Sequence, residues 1–319
     1  MTATAALPTP VRRSRPRVRG LLWTLLRLHR TALWLWLTFV AATAGLLLWL
    51  LGPGADATQA KLDAFGYSGV SAAAWSSDAM GSFTSGTYND LFYAPSNLIT
   101  IASFAIALFA GGPLIARELE NGTAQLAWTQ SVSPARWLAA KLAVPAGFVV
   151  LGTTLLVLVY RQLWSAHSNL LLAGIGPTSI YYSIGPSTVA APLLGLAFGA
   201  LAGLVLRRTL PALAVAGAGY FVVYAVLGKH WPFQGDYPQP GVRSRSWAIT
   251  STGAEVADPG CYDSQKCLAE HDIAGFGREY LPSSDYWSHQ LLETGVLLAL
   301  TALLVTAAFV VLRRRGTTA

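Results

Sequence analysis

Six long apolar stretches constrain this 319-residue chain more than any other feature. They are residues 31–51, 95–115, 142–160, 188–206, 210–228 and 291–312. A helix needs about 20 mostly apolar residues to cross a bilayer, so each stretch is long enough to span. Charged residues make up 12% of the chain, about half the fraction usual in soluble domains. The expected fold class is therefore an all-α membrane protein with six transmembrane helices. No separate soluble core fits between the spans. The first apolar run exceeds the roughly 7–15 residues of a signal-peptide core. It is expected to remain as a membrane helix rather than be removed near Ala55-Asp56-Ala57.

Basic residues set the expected orientation. With both termini inside, 15 of the 22 Lys and Arg fall on the inner side. They are seven Arg before the first span, Arg117, Arg136 and Lys141 after the second, Arg207 and Arg208 after the fourth, and Arg313–Arg315 at the end. Of the 15 acids, only Glu118 and Glu120 share that side, while 12 lie in the first and third outer loops. The positive-inside rule selects N-in/C-in and a plasma-membrane location with both termini cytoplasmic. The net charge of +7 then reads as membrane topology, and no nucleic-acid partner is expected.

The expected organisation is a disordered basic tail at 1–17, one six-helix domain at 18–312 and a basic cytosolic tail at 313–319. Val18, Leu21, Leu22, Leu25 and Leu26 repeat at helical spacing before the first span, and Arg19, Arg27 and Arg30 avoid that face. The stripe predicts an amphipathic helix in the interface, with a plain extension of the first span as the alternative. The largest loop, 229–290, lies outside between the fifth and sixth spans. It holds the two cysteines, Cys261 and Cys267. An oxidising compartment favours a disulfide between them; two free thiols are the alternative. No His or Cys cluster has metal-ligand spacing, so no metal site is expected.

The span interiors are nearly free of charge, which argues against a proton-coupled carrier. Arg161 and Glu293 sit near span ends, where both can reach the interface. The fourth span carries Gly195, Gly199 and Gly203 at four-residue spacing. Such a stripe lets another helix backbone approach closely, either across a dimer seam or within the subunit. The five histidines pair with no nucleophile at recognisable spacing, so no catalytic residue is expected.

The most informative segment follows the second span: Arg117-Glu118-Leu119-Glu120-Asn121-Gly122-Thr123, leading to Ser133-Pro134-Ala135-Arg136-Trp137 and Lys141. A helix carries two carboxylates out of the membrane and stops at Asn121-Gly122. A short segment begins at Thr123. Ser133 and Pro134 read as the cap and first residue of the next helix. The expected product is a compact helix–turn–helix held between two spans.

This stretch resembles the first cytosolic loop of ABC-2 type transporter permeases, which carry an R-E-x-E-x-G-T element there. Six spans, both termini inside and an amphipathic helix before the first span also match that family. The resemblance implies that residues 116–137 dock on a partner ATPase, with Arg117, Glu118, Glu120, Gly122 and Thr123 in the coupling element. It implies a permease subunit, acting as an exporter and paired with a second permease subunit, identical or similar. No G-x-x-x-x-G-K-[ST] phosphate loop occurs in the chain. ATP and magnesium are accordingly expected on the partner, with no cofactor and no enzymatic activity in this chain. The rival reading is a membrane scaffold or sensor without transport.

Overall fold

The computed structural model describes residues 18–64, 87–130, 132–167, 170, 183–230, 246–257, 259, 265–278 and 286–316. The tail 1–17, most of the first and second outer loops, and Cys261 lie outside the described residues.

Helix α1 (Val18–Leu28) runs through His29 into α2 (Arg30–Leu51), and α3 (Pro53–Ala64) follows. Helix α4 (Thr87–Phe109) continues as a π-helical segment, π1 (Ala110–Ala116), into the one-turn α5 (Arg117–Glu120). Next come α6 (Thr123–Thr129), α7 (Pro134–His167), α8 (Ser187–Leu206) and α9 (Thr209–His230). A small sheet of β1 (Ser246–Thr250), β2 (Glu255–Ala257) and β3 (Ile273–Arg278) encloses α10 (Gln265–Glu270), and α11 (Tyr286–Gly316) ends the described chain.

Six helical stretches are long and apolar enough to cross a membrane. They coincide with the six expected spans, and all but the fifth, Thr209–Val226, run longer. The third, expected at 142–160, is one helix from Pro134 to His167. Its polar ends add turns that an apolar window cannot see. The bonds His29 N–H to Leu25 C=O and Leu33 N–H to His29 C=O, each 3.0 Å, carry helical hydrogen bonding from α1 into α2. Leu25 is buried, whereas Trp23 and Arg27 are exposed.

The fourth span is the hub of the bundle. In α8, 61% of the apolar stretch is buried within the chain, against 17% in α11. Helix α8 packs against α11, π1, α4, α9 and α7. Two apolar clusters mark opposite ends of the bundle. Leu119, Ala124, Trp137, Leu204 and Leu312 meet at one end. Leu50, Phe92, Tyr160, Leu163 and Ile184 meet at the other. The first is the Arg-rich end, carrying Arg117, Arg136, Arg207 and Arg208.

The sheet adds strands to a chain expected to be helical throughout. It is antiparallel, in the order β2-β1-β3, with Trp247 opposite Ala257 and Gly277. Gly253, at φ +84°, makes the turn between β1 and β2, a left-handed conformation that glycine takes without a Cβ clash. Cys267 in α10 is disulfide-bonded.

Candidate functional site

The site starts where the second span leaves the apolar core. Pro113 lies inside π1. A proline has no N–H to donate and its ring collides with the carbonyl four residues back. The wider π turn relieves that collision, and Arg117 N–H reaches back five residues to Gly112 C=O. The extra residue per turn rotates α5 relative to α4. It thereby sets which way the two carboxylates point.

Glu118 points into the bundle. Its Oε1 accepts from the Lys141 ammonium, and its Oε2 accepts from the Trp137 indole N–H at 3.1 Å. Trp137 and Lys141 are four residues apart on α7 and so share a face. Lys141 Nζ also lies 2.9 Å from His29 Nε2. The Lys141 side chain is only 2% exposed and that of Glu118 15%. Burial and the nearby Lys141 charge push the His29 pKa down to about 4, against the opposing pull of Glu118. His29 is therefore neutral at pH 7 and its Nε2 accepts from Lys141. The cluster joins the second span, the third span and the turn between α1 and α2.

Glu120 points the other way, to the tip of the hairpin between the fourth and fifth spans. Its Oε2 accepts from the Thr209 backbone N–H at 2.8 Å and from the Thr209 hydroxyl. Thr209 opens α9, so its N–H is one of the groups a helix start leaves unsatisfied. A carboxylate also complements the positive end of the helix dipole. Arg207 reverses the chain at φ 54°, in the left-handed region.

Gly122, at φ +73°, turns the chain from α5 into α6. A Cβ would be strained at that angle. Thr123 closes the turn, its hydroxyl donating to Glu118 C=O at 3.2 Å. The inner side of α6 is anchored by buried Ala124 and by Trp128, whose ring meets Trp137 edge-on at 5.7 Å. Its outer side presents Gln125, Thr129 and Leu126, the last 59% exposed. Across the gap, the Ser133 side chain accepts from Arg136 N–H at 3.4 Å as α7 begins.

Of the five residues singled out from sequence, four stand in this network: Glu118, Glu120, Gly122 and Thr123. Arg117 is exposed. Three residues of the network were not singled out: His29, Trp137 and Thr209. Lys141 stands in the segment that the sequence marks, outside the residues assigned to coupling. Its signal was a lone cation at the edge of an apolar span, four residues after a tryptophan. His29 had no comparable signal, because its partner is 112 positions away.

The glycine stripe faces the second span of the same chain. A Cβ on Gly199 would stand 2.3 Å from Ala107 C=O and 2.7 Å from Gly111 N. One on Gly195 would meet Ser103 C=O at 3.0 Å, and one on Gly203 would meet Gly111 C=O at 2.9 Å. Arg161, at the far end of α7, lies over the Trp287 ring, 4.4 Å from its centroid. Among the described residues, no group of three or more His, Cys, Asp or Glu is placed to hold a metal ion.

A family model described as ABC-2 membrane transporter related matches residues 22–230. The match runs from α1 to the end of α9 and includes the whole polar network. No curated protein matches the chain.

Proposed function

The chain belongs to the ABC-2 membrane transporter related family, and from that premise we propose that it is the permease of an ATP-driven exporter whose 116–137 segment receives the movement of a separate ATPase. The observation that carries this reading is the division of labour between the two carboxylates on α5. Glu118 grips the third span through Trp137 and Lys141. Glu120 grips the start of the fifth span through Thr209. A push on the exposed side of α6 is thereby delivered to several spans at once. His29 extends the linkage to α1 and the first span. On the Glu118 side the charges are buried and hydrogen-bonded, which holds one geometry rather than letting it slide as apolar contacts do; the exposed Glu120 holds its side by two hydrogen bonds to Thr209.

ATP hydrolysis on the partner supplies the driving energy. The chain's own residues supply a docking face (Gln125, Leu126 and Thr129) and the rigid attachment behind it. The Arg-rich end faces the cytoplasm, with both termini on that side of the plasma membrane. Six spans make half of the usual transmembrane assembly, so a second permease subunit, identical or similar, completes the pathway.

The test is affinity purification of the chain from its host in mild detergent, with mass spectrometry of what accompanies it. The expected result is a P-loop ATPase in near-equal amount, its stimulation uncoupled when Glu118 and Glu120 are both replaced by Ala. Recovery of the intact chain without an ATPase, under conditions that preserve a known ABC complex, would replace this reading with a scaffold or sensor.

A further inference from the structure

A groove of about 460 Å³ runs between the first three spans and ends at the polar network. That volume lies within the range of ligand sites. Its walls are apolar except at one end, where the His29 and Lys141 side chains line it. At the other end it reaches Phe39 and Val149. From His29 to Phe39 is ten residues of helix, a rise of about 15 Å. The hydrocarbon of one leaflet is about half of the 30 Å bilayer core; along the second span the lining continues from Leu114 to Leu98, about 24 Å of helix, so the groove is long enough to take a single acyl chain. Beyond Phe39 the first and third spans close on each other, a Cβ on Gly152 falling 2.9 Å from the Val40 side chain; within the wall the Trp36 indole N–H donates to Phe148 C=O at 3.0 Å. The groove is open toward the bilayer beside Leu35, Ile101 and Ala105, all exposed.

Charge decides which lipid fits. Lys141 stands at the neck of the groove with its charge balanced by Glu118, and the exposed Arg30 lies one turn from Leu33, which lines the groove. The acid at this corner, Glu118, is already engaged by Lys141 and Trp137. The rim therefore presents the Arg30 cation to a headgroup.

We infer that this groove holds one acyl chain of an acidic phospholipid from the leaflet at the Arg-rich end, with its phosphate headgroup drawn to Arg30. The occupant touches Lys141 and Leu25, so it lies against the residues that tie α1 and the third span to Glu118. Only that consequence rests on the proposed coupling. Binding itself does not, and the test needs no ATPase.

The full chain is reconstituted in phosphatidylcholine vesicles carrying a trace of phosphatidylglycerol with a photoactivatable group in its acyl chain. After illumination the labelled peptides are mapped. Label concentrated on residues 98–109 and 140–149 is expected, displaced by unlabelled phosphatidylglycerol. Filling the groove by Ala105→Trp lowers that labelling about tenfold, the equivalent of 1.4 kcal/mol. Arg30→Gln reduces the preference over a phosphatidylcholine probe about fivefold, since a surface cation contributes about 1 kcal/mol toward an anionic lipid, whereas Arg27→Gln, on the opposite face of α1, leaves it unchanged. Label spread in proportion to exposure, reaching Leu151 and Leu158 on the outer face of α7 and unchanged by Ala105→Trp, would overturn the inference. So would equal labelling by the two headgroup probes.

Discussion

At the residue scale, Lys141 is the most demanding side chain in the molecule. An ammonium that is 2% exposed is tolerable only with its donors used, because a buried ion forfeits its hydration. Glu118 supplies the counter-charge and His29 a neutral acceptor. Removing one partner of a buried pair costs about 3 kcal/mol, whereas replacing both with apolar groups of similar size is close to neutral. Glu118→Ala is therefore expected to lower the melting temperature in detergent, and Glu118→Leu with Lys141→Met to restore it. Stimulation of the partner's ATPase should stay low in both, because the geometry that transmits motion is gone. Recovery of stimulation in the double variant would show that apolar contact alone transmits it. His29 adds a pH dependence. Unfolded, it takes a proton as the pH falls through about 6.5; folded, it resists until about 4. Between those values the unfolded chain binds more protons, so stability falls as the pH falls. Above pH 6.5 this contribution is fully present. Melting curves from pH 7.5 to pH 5 should show wild type losing more stability than His29→Gln. Parallel losses would mean that His29 is not held neutral.

At the element scale, the fourth span is built around missing side chains. Gly199 allows α8 to lie against the backbone of Ala107 and Gly111, and Gly111 in turn receives Ala212 and Ala216 of α9. Three spans thus meet where π1 begins. Without a water-driven hydrophobic effect between helices in lipid, such close approach is a main source of their association. Gly199→Ala must move backbone and is expected to reduce the yield of folded protein on size exclusion. Gly147 in α7 has nothing within 4 Å of its would-be Cβ. Gly147→Ala should be neutral or slightly stabilising, since alanine is favoured over glycine in helices by about 1 kcal/mol. Equal yields of the two variants would mean that the α8 seam can open at little cost. The spacing of Gly195, Gly199 and Gly203 disclosed a seam but not its partner, because any helix can approach a bare face. The helix–turn–helix at 117–137 was more legible: Gly122 and Ser133-Pro134 act within a few residues of themselves.

At the scale of the whole molecule, the prediction concerns sidedness. Arg207 at the hairpin tip and Thr252 in the sheet are both exposed and are placed at opposite ends of the bundle by the span order. A membrane-impermeant thiol reagent on intact cells should label Thr252→Cys at once. It should label Arg207→Cys only after permeabilisation. The reverse pattern would invert the chain and remove α6 from the side where a cytosolic ATPase could reach it.

The number of spans, the order of loops and the local turn chemistry of the 117–137 segment follow from the sequence alone. Each is fixed by composition over about 20 residues or by a backbone preference within one turn. What the two carboxylates hold was decided only by the tertiary structure. Two residues apart on one helical turn, they face opposite ways by local geometry, but nothing local says what either will meet. The π turn at Pro113 and the packing of α8 aim Glu118 at Lys141 and Glu120 at Thr209. These partners lie 23 and 89 positions along the chain, where they meet only because the spans have folded back on one another. The groove beside Lys141 arises in the same way, from three spans that diverge at one end and close at the other.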